Sequence, residues 1–202
     1  AFARRNFGAV VLMMRIVAGS HRGRVLKTPE GQEIRPTSDK VRQAIFNVLS
    51  SHCGINGLRV LDLFCGTGAL GLEALSQGAA DCTFLDISPV SLALAKENAR
   101  NLGLLERCTF LQRDAVKIGV RPDSLLPFDL VFLDAPYHKN LSEPCFCELI
   151  EGNWLKNGAI MVVETGKEEA LSGISEKIWA EKVYGLTKVT FLSYNLPGTI
   201  VS

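Results

Sequence analysis

The sequence has no apolar run long enough to cross a membrane. Phe7 to Met14, its longest wholly apolar stretch near the start, has eight residues, against the roughly twenty a spanning helix needs. Arg4 and Arg5 ahead of that stretch imitate a secretory signal, but Arg15 interrupts it and no small-x-small cleavage site follows, so export is not expected. There is no internal repeat and no low-complexity segment. Zinc-type cysteine spacing is also missing: Cys145 and Cys147 enclose one residue, where structural zinc sites use two to four. The six cysteines, Cys53, Cys65, Cys82, Cys108, Cys145 and Cys147, lie mostly in apolar runs and read as free thiols of a reducing cytoplasm. No metal site is expected.

Net charge is nearly absent as well, at +1, but it is unevenly spread. Residues 1–45 carry nine Lys and Arg against three acids, whereas the rest of the chain carries thirteen against eighteen. A basic amino-terminal arm on a mildly acidic body is the pattern of a protein that touches a phosphate backbone with one part only. The 202 residues fit one domain with a small appendage, and 47% apolar usage is enough for a core without disulfides.

Along the chain, residues 1–13 read as a leader or added residues, with Met13 or Met14 a sensible natural start. Residues 14–54 predict a small hairpin, Arg15–Val17 with Arg24–Leu26 around a Gly19–Gly23 turn, and a helix capped by Thr37 or Ser38 that ends near Ser50. Val41, Ala44, Ile45, Val48 and Leu49 form its apolar stripe. Residues 55–196 alternate between strand and helix: strand Arg59–Phe64, helix to Ser76, strand Cys82–Leu85, helix Pro89–Leu102, strands Thr109–Leu111 and Leu130–Leu133, helix near Glu143–Ile150 and strand Ala159–Val163. A closing antiparallel pair, Lys182–Tyr184 and Lys188–Tyr194, follows, with 197–202 as a tail. Such alternation calls for an α/β fold, a mostly parallel sheet covered by helices on both faces.

Chemistry concentrates at strand ends. Gly66, Gly68 and Gly71 have G-x-G-x-x-G spacing directly after a strand and opening a helix, which lets backbone approach a ligand closely. Asp86, twenty residues after Gly66, stands where a carboxylate binds ribose hydroxyls. Asp62, four residues before Gly66, decides which nucleoside: a carboxylate at this turn repels the pyrophosphate of NAD but attracts a sulfonium and an ammonium. S-adenosylmethionine is thus favoured over the competing reading of an NAD-dependent oxidoreductase. Phe64, Thr67, Ile87 and Ala115 flank these positions, and Asp114 is placed to accept from an adenine amino group. Asp134-Ala135-Pro136-Tyr137 resembles the Asp/Asn-Pro-Pro-Tyr/Phe signature of methyltransferases acting on exocyclic amines of bases. Asp134 and the Ala135 carbonyl would hold such an amine, and Tyr137 would stack on the base. His138 reads as a rim residue, and Trp154, Trp179 and Phe46 as core.

Together with His21-Arg-Gly-Arg24, Arg35-Pro-Thr-Ser-Asp-Lys-Val-Arg42, Ala44-Ile-Phe-Asn-Val-Leu49 and Leu61 to Ala74, these motifs make the chain resemble the RsmD family, bacterial methyltransferases of guanine N2 in 16S ribosomal RNA. The resemblance runs from Met14 to Tyr194. It departs at Ala135, where the family usually has proline, at Ala18 for a usual glycine and at Gln43 for a usual glutamate. It implies a class I, Rossmann-like methyltransferase fold with a twisted seven-stranded sheet whose carboxy-terminal strand is antiparallel, S-adenosylmethionine as donor, and a cytoplasmic, monomeric enzyme. Its target would be one guanine within the 30S subunit or an assembly intermediate. Arg22, Arg24, Arg35 and Arg42 would then contact RNA phosphates, and Thr37 would help close the site. Adenine N6, another RNA, or a non-catalytic RNA-binding assembly role are the alternatives.

Overall fold

A computed structural model describes residues 13–29, 37–136, 141–171 and 178–195. Helix α1 spans Thr37–His52, and the alternation then follows: β1 Arg59–Leu63, α2 Ala69–Ser76, β2 Asp81–Asp86, α3 Pro89–Leu102, β3 Cys108–Gln112, β4 Phe128–Asp134, α4 Ser142–Glu151, β5 Leu155–Gly166, β6 Ile178–Tyr184 and β7 Thr187–Tyr194. The strands form one seven-stranded sheet in the order β3-β2-β1-β4-β5-β7-β6. The pairs from β3 to β5 are parallel, and β7 is antiparallel to both β5 and β6. The chain winds outward from β1 to β3 and then crosses to β4 on the other side of β1, so the strand order reverses between β1 and β4, the place where sheets of this kind open for a ligand.

Strand residues alternate between two cores. Val60, Phe84, Leu130, Phe132, Val162 and Phe191 face α1, α2 and α3. Leu61, Leu63, Val131, Leu133 and Met161 face α4 and Trp154. Each such side chain taken fully from water contributes about 1.5–3 kcal/mol. On α1 the predicted stripe faces the core, with Val41, Ile45 and Leu49 buried and Ala44 and Val48 partly so, and Phe46 beside it is buried too. Helix α3 has its forecast bounds for local reasons: Ser88 Oγ accepts from Ser91 N at 3.2 Å, Pro89 opens the first turn, and Gly103 ends it at φ 74°. Trp154 is fully buried and donates from Nε1 to Gly119 O at 2.7 Å.

The predicted amino-terminal hairpin is present in minimal form. Arg15 and Val25 make one antiparallel bridge around a 3-10 turn at Gly19–His21. The described cysteines are all free, with Cys65, Cys82 and Cys145 buried and Cys53 and Cys147 exposed. Burial pushes the Cys108 and Cys145 thiols up to about 12 and raises Cys65 and Cys82 as well, so none of these four supplies a thiolate near neutral pH. Among the described residues, no helix is long and apolar enough to cross a membrane.

Candidate active site

The turn after β1 is built around carboxylates. Phe64 sits at φ 56°, Gly66 at 51° and Gly68 at 77°, and a left-handed phenylalanine is a strained choice that a turn must enforce. Asp62, 1% exposed, accepts from Gly71 N at 2.9 Å and so fastens the first turn of α2 to β1. Asp86 spans the neighbouring gap, accepting from Gly66 N at 3.1 Å and from Ser88 N at 2.8 Å. Gly71 is required by packing: a Cβ there would lie 2.5 Å from both Cys82 Sγ and the Phe84 ring. This is the close helix-to-strand approach anticipated for the third glycine.

Above the turn, at the carboxyl ends of β1, β4 and β5, lies a cavity of about 180 Å³ lined by Arg42, Asp62, Phe64, Gly66, Asp134 and Glu164, among others. Thr67 also lines it, but Gly68, Asp86, Ile87, Asp114 and Ala115 do not. Ile87 is exposed, and Asp114 Oδ1 accepts from Val116 N at 3.1 Å beside the buried Ala115. Asp134 is exposed at the rim, followed by buried Ala135 and exposed Pro136. Tyr137, His138, Arg35 and the side chain of Thr37 lie outside the described residues.

Three carboxylates thus face the cavity with one guanidinium. Burial, with Asp134 and Asp86 nearby, raises the Asp62 carboxyl well above the usual carboxylate range, against the lowering effect of the Gly71 hydrogen bond. Glu164 is also raised, first by burial and then by Asp134, while Arg42 works in the opposite direction. Such a cavity favours a cation and opposes a pyrophosphate, so its residues fit a sulfonium-bearing ligand.

A stability prediction follows from Asp62. The folded carboxyl keeps its proton at pH values where the unfolded chain, with a pKa of about 3.9, has released it. Stability of the ligand-free protein therefore falls as pH rises from about 4 toward the raised folded value. In urea titrations between about pH 5 and 8, Asp62→Asn should flatten that decline. A decline as steep as that of the wild type would refute the assignment.

Arg42 corrects the sequence reading. It is 4% exposed, donates to Asp39 Oδ1 at 2.8 Å and to the Arg15 carbonyl, and lies 3.5 Å from Glu73 Oε2. Its guanidinium is committed to the interior and to the cavity wall, which removes it from phosphate contact. Arg22 and Arg24 are exposed, and Arg24 donates to Asn101 O at 2.7 Å.

Several residues had no role in the sequence reading. Glu73, fully buried, accepts from Val17 N at 2.8 Å and Ala18 N at 2.9 Å. Ser76 Oγ accepts from His21 N and donates to Ala18 O. Asn98 exchanges hydrogen bonds with the Lys27 backbone and donates to Thr67 O at 3.0 Å. The basic arm is therefore clamped to α2, α3 and the glycine turn. Glu73 had a visible signal, as the single charge in the apolar helix Ala69–Ser76. Glu164, directly after Ile160-Met-Val-Val163, had the same signal as the other strand-end acids.

A doubly wound sheet with an acid-held glycine turn at its switch point and an Asp134-Ala-Pro strand end beside it defines a class I, S-adenosylmethionine-dependent methyltransferase. The family model described as Conserved hypothetical protein 95 matches residues 14–193. The chain belongs to this family, the RsmD family. It is 37% identical over 177 residues to ribosomal RNA small subunit methyltransferase D of Haemophilus influenzae, covering 86% of this chain and 90% of the relative. The Escherichia coli K12 protein of the same name is 33% identical, covering 85% of each chain. The solved structure of yhhF from Escherichia coli superposes with a TM-score of 0.77 at 31% identity, covering 91% of this chain and 98% of that one.

Proposed function

We propose that the protein transfers a methyl group to the exocyclic N2 of one guanine in 16S ribosomal RNA. It would act as a cytoplasmic monomer on the 30S subunit or an assembly intermediate. The observation that carries this reading is the placement of Asp134, exposed at the end of β4 on the rim of the carboxylate-lined cavity. Relatives named as small subunit ribosomal RNA methyltransferases support the RNA class.

When bound, S-adenosylmethionine supplies an electrophilic methyl group on a sulfonium. Asp62, Phe64, Gly66, Thr67 and Gly68 would hold it. Asp86 keeps lone pairs for ribose hydroxyls beyond those occupied by Gly66 and Ser88, and Asp114 with Ala115 and Ile87 would line the adenine end. An exocyclic amine shares its lone pair with the ring and attacks poorly. Asp134 and the Ala135 carbonyl would accept hydrogen bonds from its two N–H groups, turn the lone pair outward and stabilise the positive charge that develops on nitrogen, and the methylated amine would then release one proton to water. Pro136 restricts Ala135 to extended backbone, which aims that carbonyl, and Tyr137 would stack on the extruded base.

Residues 14–54 form the RNA-facing part and 55–196 the catalytic domain in this reading, with Arg22, Arg24 and Arg35 on phosphates and Thr37 closing the site. RNA affinity should fall by about 0.7–0.9 log units per log unit of salt for each contact. A flat response in filter binding would remove the arm from recognition. The decisive experiment is methyl transfer from labelled S-adenosylmethionine to 30S particles lacking base methylation, followed by nucleoside mass spectrometry. N2-methylguanosine is the expected product. N6-methyladenosine, or no product with cofactor bound, would overturn the reading.

A further inference from the structure

Asp134 and Glu164 are paired residues of adjacent parallel strands. Their side chains stand on the same face, about 4.8 Å apart along the sheet, and both line the cavity. Glu164 is half-buried, deeper than the exposed Asp134, with Arg42 as the guanidinium beside it. Holding one exocyclic amine and its developing charge needs Asp134 and the Ala135 carbonyl only, so the chemistry leaves Glu164 unused.

Guanine and adenine differ at the ring atom next to the reactive amine. Guanine N1 carries a proton, whereas adenine N1 carries a lone pair. Burial and Asp134 raise the Glu164 carboxyl while Arg42 lowers it; a guanine N1–H presented one strand over from the amine-holding group favours its ionised form, which accepts that N1–H and repels a lone pair. We propose that Glu164 is a specificity-determining residue that accepts the N1–H of the target guanine and so excludes adenine. This rests on the guanine-N2 reading above and extends it from the reaction to the choice of base. Arg42 has a matching role, as the interior cation that keeps a second carboxylate tolerable so close to Asp134.

The test uses 2-aminopurine, which keeps the 2-amino group but has a lone pair at N1. The full-length protein is given 30S particles reconstituted with 16S RNA carrying either guanine or 2-aminopurine at the position the wild type methylates, and rates are compared as a ratio. Hydrogen bonds to charged groups discriminate by about ten- to a hundredfold, so the wild type should prefer guanine by that factor. Glu164→Gln, whose amide can donate to the N1 lone pair, should shrink the preference by about tenfold or more. Because the two substrates are read with the same protein preparation, partial misfolding cancels from the ratio. Should the variant be inactive toward both, competition binding of the two particles supplies the same ratio.

An unchanged ratio, in rate or binding, would overturn the proposal, since a residue that only balances Arg42 would affect both bases equally. Absence of N2-methylguanosine with the wild-type protein would overturn the guanine reading and this proposal with it. Normal wild-type methylation with an unmoved Glu164→Gln ratio would overturn this proposal alone.

Discussion

Asp134→Ala is expected to lower kcat by about a thousandfold while S-adenosylmethionine binds within about twofold of the wild type. The asymmetry follows from position. The glycine turn is held by Asp62 through Gly71 and by Asp86 through Gly66 and Ser88, whereas Asp134 is at the exposed rim. Its removal leaves the turn's hydrogen bonds in place and takes away the group that orients the amine and answers its positive charge. Asp134→Asn keeps an acceptor without the charge and should fall between the two. Isothermal titration with cofactor alone, paired with single-turnover methyl transfer, separates the effects. Parallel loss of binding and rate would assign Asp134 to the cofactor instead.

The second large effect concerns stability. Glu73→Ala should destabilise the fold by about 3–5 kcal/mol. Glu73 is fully buried and supplies the acceptor for two backbone N–H groups, Val17 and Ala18, and the nearest carboxylate to Arg42 Nε. Its loss strands two backbone donors in the interior and leaves the buried Arg42 guanidinium with Asp39 and the Arg15 carbonyl alone. Urea unfolding gives the magnitude, and limited proteolysis should show cleavage within residues 13–29 well before the sheet unfolds. Glu73→Gln keeps one acceptor oxygen and should cost less. A loss below about 1 kcal/mol for Glu73→Ala would show that the arm is held by other contacts.

Features set by local chemistry were legible in the sequence. The bounds of α3 come from Ser88, Pro89 and Gly103, all within one turn of the helix ends. The glycine turn declared itself because glycine spacing, a preceding strand and a following helix are contiguous. Features set by distant partners were not legible. Strand β5 begins at Leu155, ahead of the expected Ala159, because pairing of Phe128 with Leu155 and a register shift in β4 draw Lys156, Asn157 and Gly158 into it. Arg42 looked like one more surface cation of a basic arm, and its burial depends on Glu73, thirty-one positions later in the sequence. Glu164 was visible as an acid after an apolar run, but its pairing with Asp134 depends on the register of β4 with β5, which no local pattern encodes.

The clamp on the arm also orders events in time. A chain made from its amino end releases residues 13–29 ahead of the sheet, yet the side chains that grip them, on Glu73, Ser76 and Asn98, follow 55 to 71 positions later. Closing loops of that length has an entropic cost that packing of the later elements must offset. The earliest of the described segments to leave the ribosome is therefore among the last to settle. Until α2 has formed, the nascent chain trails a basic, unanchored strand beside the very machine whose RNA its relatives modify.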